Sequence, residues 1–239
     1  MRSWIVVFLL AILLSGCATT QSPEALAAND RFEPTNRKVF RLNQKLDKYV
    51  VVPTVGVYIL LVPEWGRTRV HDLLDNLSLP ITFANDLLQG EIKRGSQSFA
   101  RFAVNATVGL AGLFDPATSL FHMPNHGEDF GETLAIWGFD EGPYLVLPLF
   151  GPSNPRDTTG LIADYFIDPL HWIRYKQHIW WDATHEYFTL LDLRAQTYQT
   201  VQGVERSSVD FYSSQRSLYR QLRNNAIRKG QPEKNLPEF

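Results

Sequence analysis

The chain has 239 residues, 23 of them basic and 25 acidic, for a formal net charge of −2, with 13% aromatic content and one cysteine. That balance argues against nucleic acid as a partner, and a lone cysteine excludes an intramolecular disulfide. The length suits one compact domain, while the aromatic content fits either a large core or a bilayer interface, where amphipathic rings settle.

Arg2 is followed by an apolar run, Trp4 to Leu14, of eleven residues. This is too short to cross about 30 Å of hydrocarbon as a helix, so residues 1–16 read as a signal peptide. Leu14, Ser15, Gly16 and Cys17 follow the Leu-small-small-Cys order of a bacterial lipoprotein cleavage site. The expected covalent group is a diacylglyceryl and N-acyl lipid on Cys17, with no other cofactor; a plain secretory leader with an accidental cysteine is the alternative. Ala18 is not the aspartate that retains lipoproteins at the inner membrane where that rule is known, which favours the outer membrane. Loss of Arg2 leaves 22 basic residues against 25 acidic ones, a mature charge of about −3.

Residues 17–33 are small and polar and read as a lipidated tether; 34–230 read as a single helical domain and 231–239 as a flexible tail. After Pro34, Val39, Leu42, Leu46 and Tyr49 recur at helical spacing, while Arg37, Lys38, Arg41, Lys45 and Lys48 occupy the other faces. Residues 49–63 are apolar but contain Pro53 and Gly56, so they are expected to dip into or lie against one leaflet, or else to form a buried strand pair. A helix over 65–79 is expected to restart at Pro80 and end at Gly90. The next helix gathers Ile92, Phe99, Phe102, Ala103 and Ala106 on one face and runs into 108–114, where Gly109 and Gly112 permit close approach.

Residues 142–157, GPYLVLPLFGPSNPRD, put Tyr144, Leu145, Val146, Leu147, Leu149 and Phe150 between Gly142 and Gly151, with Pro148 among them. Neither a helix nor a long central strand passes through such a segment. It is expected to be a built apolar wall that other protein covers or that lines a cavity. Asn154, Pro155 and Asp157 then carry the signature of a helix start. The last helix, from near Ser208 to Gly230, carries Arg216, Arg220, Arg223, Arg228 and Lys229, either a solvated face or a dock for lipid headgroups or an acidic partner.

No nucleophile elbow is present and the one cysteine sits in the lipidation motif, so no enzymatic activity is expected. His122, His126, Glu128 and Asp129 could ligate zinc, but the H-E-x-x-H spacing is absent; a polar loop is the plainer reading and no metal is assigned. His178, Asp182 and His185 form a second stripe, read as a polar edge of an aromatic helix.

RFAVNATVGLAGLFDPAT (101–118), HGEDFGETLAIWG (126–138) and GPYLVLPLFGPSNPRDTTG (142–160) resemble the VacJ/MlaA family of outer-membrane lipoproteins. The likeness extends from the FEPTNRKVFRLNQKLDKYVVVP opening to the last helix. It departs at Thr35, where the family usually has an aromatic. The resemblance implies an all-α fold: a flattened ring of amphipathic helices lying in the inner leaflet of the outer membrane around an amphipathic channel. It also implies removal of phospholipids misplaced in the outer leaflet, transfer to a soluble periplasmic phospholipid carrier, and association with trimeric porins. On that reading Gly142, Tyr144, Leu145, Val146, Leu147, Leu149 and Gly151 form the lipid path, and Arg216, Arg220 and Arg223 meet headgroups or a partner. A lipoprotein that only scaffolds porins, and then a phospholipase, are the rival readings.

Overall fold

The computed structural model describes residues 19–20, 22–173 and 178–231. Cys17 with the leader before it, the tail from residue 232 and the side chains of His178 and Asp182 lie outside the described residues. The described residues are mostly helical. A short α1 (Pro23–Ala27) precedes α2 (Glu33–Leu46), which passes through one π-helical turn (Asp47–Val51) into α3 (Val52–Leu61). Next come α4 (Glu64–Leu88), α5 (Ile92–Thr107), α6 (Pro116–Ser119) and α7 (Phe130–Ile136). A hairpin of β1 (Leu145–Leu147) and β2 (Gly151–Ser153) leads to α8 (Pro155–Ile167), α9 (Pro169–Ile173), α10 (His178–Gln196), α11 (Tyr198–Ser207) and α12 (Phe211–Ile227). α4 packs along α5, and α7 along α8.

Polarity is reversed relative to a water-soluble domain. The face that α5 buries is Gly95, Ser98, Arg101 and Asn105, while Ile92 stands 70% exposed and Phe99 is also outside. α4 likewise buries the polar Asn76, Thr82, Asn85 and Asp86, with Leu79 the one apolar residue among its buried positions. The apolar stripe that the sequence gathers on one side of α5 therefore faces away from its buried polar face. Leu60, 82% exposed, Leu61, Trp65 and Trp180 continue the same outer surface. Buried polar groups are tolerated here because they bond one another, and so extensive an apolar exterior calls for a nonaqueous surrounding. Among the described residues no single helix is long and apolar enough to cross a membrane; Glu33–Leu61 and Glu64–Leu88 meet at a 119° bend and pass only as a pair.

Two local expectations change. α4 runs unbroken through Pro80 rather than restarting there. The cost of an internal proline, about 3 kcal/mol, is borne by packing along most of a 25-residue helix. The tether is shorter than read, because Asp30 is fully buried and Ala25 nearly so. Residues 49–61 are helical, which excludes the strand pair held as the alternative there. Where α7 crosses α8, a Cβ on Gly160 would sit 2.3 Å from the Gly131 backbone nitrogen, so glycine sets how closely the two helices meet.

Candidate functional site

The apolar wall is a two-stranded hairpin with Leu145 opposite Ser153 and Leu147 opposite Gly151. A strand pair this short leaves β1 with one unpaired edge, and α2 covers it with asparagines. Asn36 donates to the Tyr144 carbonyl at 2.9 Å and accepts from the Val146 N–H at 3.0 Å. One heptad on, Asn43 donates to the Leu147 carbonyl at 2.9 Å and accepts from the Leu149 N–H at 3.0 Å. Asn29 binds the Gly142 carbonyl at 2.8 Å. The Asn36 and Asn43 carboxamides thus stand in for a third strand, each supplying a donor and an acceptor to the backbone there, while the Asn29 carboxamide supplies a donor. Tyr144 and Val146 point into an aromatic core with Phe40 and Tyr212. Leu145 and Leu147 are half-buried, and Leu149 is 68% exposed at the tip beside Phe150. Gly142, Leu149 and Gly151 have positive φ angles of 71°, 71° and 81°. Asn154 caps α8 as expected, accepting from the Asp157 N–H at 2.7 Å.

A cleft of about 510 Å³ opens between α3, α4, α10 and α11, lined by Ile59, Arg67, His71, Asp192, Gln196 and their neighbours. No residue of the hairpin lines it. His71 Nδ1 lies 3.0 Å from Asp192 Oδ2, which also accepts from Gln196 at 2.8 Å. Arg67, on the same wall, makes no ion pair or hydrogen bond from its guanidinium among the described residues. The cleft therefore offers an uncommitted cation beside the exposed apolar end of α3, the combination an amphiphile with an anionic head requires. Arg194 joins α10 to the π turn through Asp47 at 2.8 and 3.0 Å, fixing the cleft's outer wall.

The C-terminal arginines expected to meet headgroups or a partner, Arg216, Arg220 and Arg223, each have a carboxylate within the chain. Arg216 donates to the buried Asp30 at 2.7 Å, and Arg220 lies 3.3 Å from Glu141. Arg223 reaches Asp129 at 2.6 Å, Glu132 at 2.9 Å and Asp157 at 3.0 Å, tying α12 to the starts of α7 and α8. Burial, then the nearby Asp129, pushes the Glu132 carboxyl up to about 9, so Glu132 holds a proton in this cluster. Burial likewise raises Asp164 to about 6, although Phe130 and Asn85 donate to it. The 101–118 motif closes around buried Arg101, which binds Thr118 at 2.8 Å and Asp115 at 2.9 Å. Against burial, which raises it, hydrogen bonds from Thr118, Asn105 and Arg101 hold Asp115 at about 2. Of the zinc candidates, His126 and Glu128 come together with Asp86, their ligand atoms within 4.8 Å of one another. Arg94 already bridges the two acids, 2.5 Å from Glu128 and 3.5 Å from Asp86. His122 points elsewhere and Asp129 serves Arg223. Asp30, Arg67, His71 and Asp192 were not marked by any sequence motif; only the three-dimensional meeting of distant helices reveals them.

A helical body with exposed apolar residues, buried polar clusters and a cleft lined by both polar and apolar side chains is the class of protein suited to an apolar surrounding. The family model for the MlaA lipoprotein matches residues 28–226, and the chain belongs to that family. It is 32% identical to the intermembrane phospholipid transport system lipoprotein MlaA of Escherichia coli over 87% of this chain and 81% of that one. The Haemophilus influenzae protein of the same description is 32% identical over 68% of this chain and 66% of that one. An uncharacterized Rickettsia felis protein is 38% identical over 61% of this chain, which spans only 58% of that relative's length. A solved structure concerned with the structural basis for maintenance of bacterial outer membrane lipid asymmetry superposes with a TM-score of 0.73 at 29% identity, covering 83% of this chain and 98% of that one.

Proposed function

We propose that this protein is an outer-membrane lipoprotein, anchored through Cys17, that removes phospholipids misplaced in the outer leaflet and passes them to a soluble periplasmic carrier while seated beside a trimeric porin. The supporting observation is the reversed polarity: buried Ser98, Arg101, Asn105 and Asp86 inside, and Ile92, Phe99, Leu60 and Trp65 outside. Such a body seats in acyl chains as a ring, and the polar cleft gives a headgroup a place to travel. Drawing a two-chain lipid into water exposes about thirty methylenes at roughly 0.8 kcal/mol each, and a sheltered route removes most of that barrier. The sequence carries no phosphate-cradling loop, so the conduit is passive and its driving force comes from its partners. Within it Arg67 meets the lipid phosphate, Leu149 and Phe150 touch acyl chains, Leu145 and Leu147 line the route behind them, and Tyr144 and Val146 brace the hairpin between its hinges Gly142 and Gly151.

The test is phospholipid exposed at the cell surface in a deletion strain carrying each variant. Arg67→Glu, and at least one of Leu145→Asp, Leu147→Asp and Leu149→Asp, should reach the outer membrane in normal amount yet leave surface phospholipid raised. If every stably folded variant restores asymmetry, the route is wrong. Recovery of lysophospholipid instead of intact lipid would replace transport by hydrolysis.

A further inference from the structure

On α2 and the turn after it, Lys38, Arg41, Lys45 and Lys48 recur at steps of three and four. At about 100° per residue they fall within an arc of about 80°, opposite Asn36, Phe40 and Asn43, which face the hairpin and core. Lys38, Arg41 and Lys45 are exposed, and none has an ion pair or side-chain hydrogen bond among the described residues. Lys48 lies 5.6 Å over the Tyr49 ring. Most arginines elsewhere are matched: Arg37, Arg69, Arg94, Arg101, Arg156 and Arg194 each have a carboxylate within 4 Å. The ridge is therefore a stripe of uncancelled positive charge on a chain of net charge −2. It continues directly into the exposed apolar residues Tyr49, Val50, Leu60 and Leu61.

We propose that this ridge docks on the bilayer surface and selects phospholipids of net negative headgroup over zwitterionic ones. Cations immediately beside a lipid-immersed segment lie at headgroup depth, where long basic side chains reach phosphates while their stems stay among apolar groups. A zwitterionic headgroup brings its own ammonium and leaves the ridge uncancelled; an anionic one does not. An acidic protein would match the charge but not the apolar continuation, which favours the membrane. The inference rests on the membrane-seated reading above.

The test offers the full mature chain, diluted from detergent, a choice between two separable vesicle populations. One is zwitterionic and the other contains about 30% phosphatidylglycerol, whose surface is worth about fivefold in partitioning per nearby cation. Wild type should favour the anionic vesicles by about a hundredfold, and the ratio should approach one in about 1 M salt, where charges are screened. The triple variant Lys38→Glu/Arg41→Glu/Lys45→Glu should lose the preference while still entering zwitterionic vesicles, and Lys38→Arg/Lys45→Arg should keep it. All these side chains are exposed, so an unchanged helical circular dichroism spectrum is expected and certifies the comparison. Equal partitioning of wild type, or a preference that survives in the glutamate variant, overturns the ridge alone; that outcome with loss of an acidic protein partner assigns the ridge to protein instead. Failure to enter either vesicle overturns the membrane-seated reading itself.

Discussion

Arg223 is where single side chains matter most. It holds three acids from two helices, Asp129, Glu132 and Asp157. Arg223→Ala takes the cation away from the buried Asp157 carboxylate and should lower stability by about 3 kcal/mol. Lysine cannot reproduce the planar fork and should rescue little. Glu132→Gln should stay within about 1 kcal/mol of wild type, because Glu132 already holds a proton and a neutral amide keeps its shape. Denaturant or thermal melts in detergent compare the three, and a Glu132→Gln as damaging as Arg223→Ala would show that Glu132 is ionised. Gly160→Val should be worse than most surface changes, since the Gly131 backbone has no flexible end to move aside.

Among the elements, the link between α2 and the hairpin gives the sharpest prediction. Asn36→Ala removes both bonds to β1 at once and leaves a buried carbonyl and N–H without partners, each worth about 1–3 kcal/mol. Hydrogen exchange at Val146 should accelerate by orders of magnitude, while α7 and α8 exchange as before. Periodicity located α2, α5, α8 and α12 because helical spacing survives whichever face is buried. It put the apolar residues of α5 on one face but left open whether that face is buried, since an apolar stripe marks a contact and does not say whether lipid or protein makes it. Pro80 misled: local propensity stops a helix, and packing along α5 overrides it. The helix start at Asn154 was legible because its capping chemistry is local. The arginines of α12 were visible as charges, but their acids lie 66 to 186 residues away and no spacing rule connects them.

At the scale of the molecule, buried acids set a pH dependence. Asp164 at about 6 and Glu132 at about 9 keep protons that the unfolded chain has released. The folded state binds more protons in those windows, so stability falls as pH rises through them, by on the order of 3 kcal/mol for Asp164 alone. Asp115 and Asp157 are shifted downward, and the stability they contribute is lost as pH falls below about 4. Melting temperature in detergent should therefore peak at mildly acidic pH and decline toward pH 9; a curve that rises steadily from acid to alkaline would contradict these assignments.

The outward apolar surface has a consequence for biogenesis. A chain whose finished exterior repels water has no safe aqueous state, even when correctly folded. On the proposed function an aqueous compartment lies between the membrane where Cys17 would be lipidated and the chain's destination, and the protein should cross it only under escort by a chaperone that shields Leu60, Ile92 and their neighbours. When synthesis outruns that escort, the surplus should appear as aggregate rather than as a soluble periplasmic pool, and fractionation after graded induction would show at what level escort saturates.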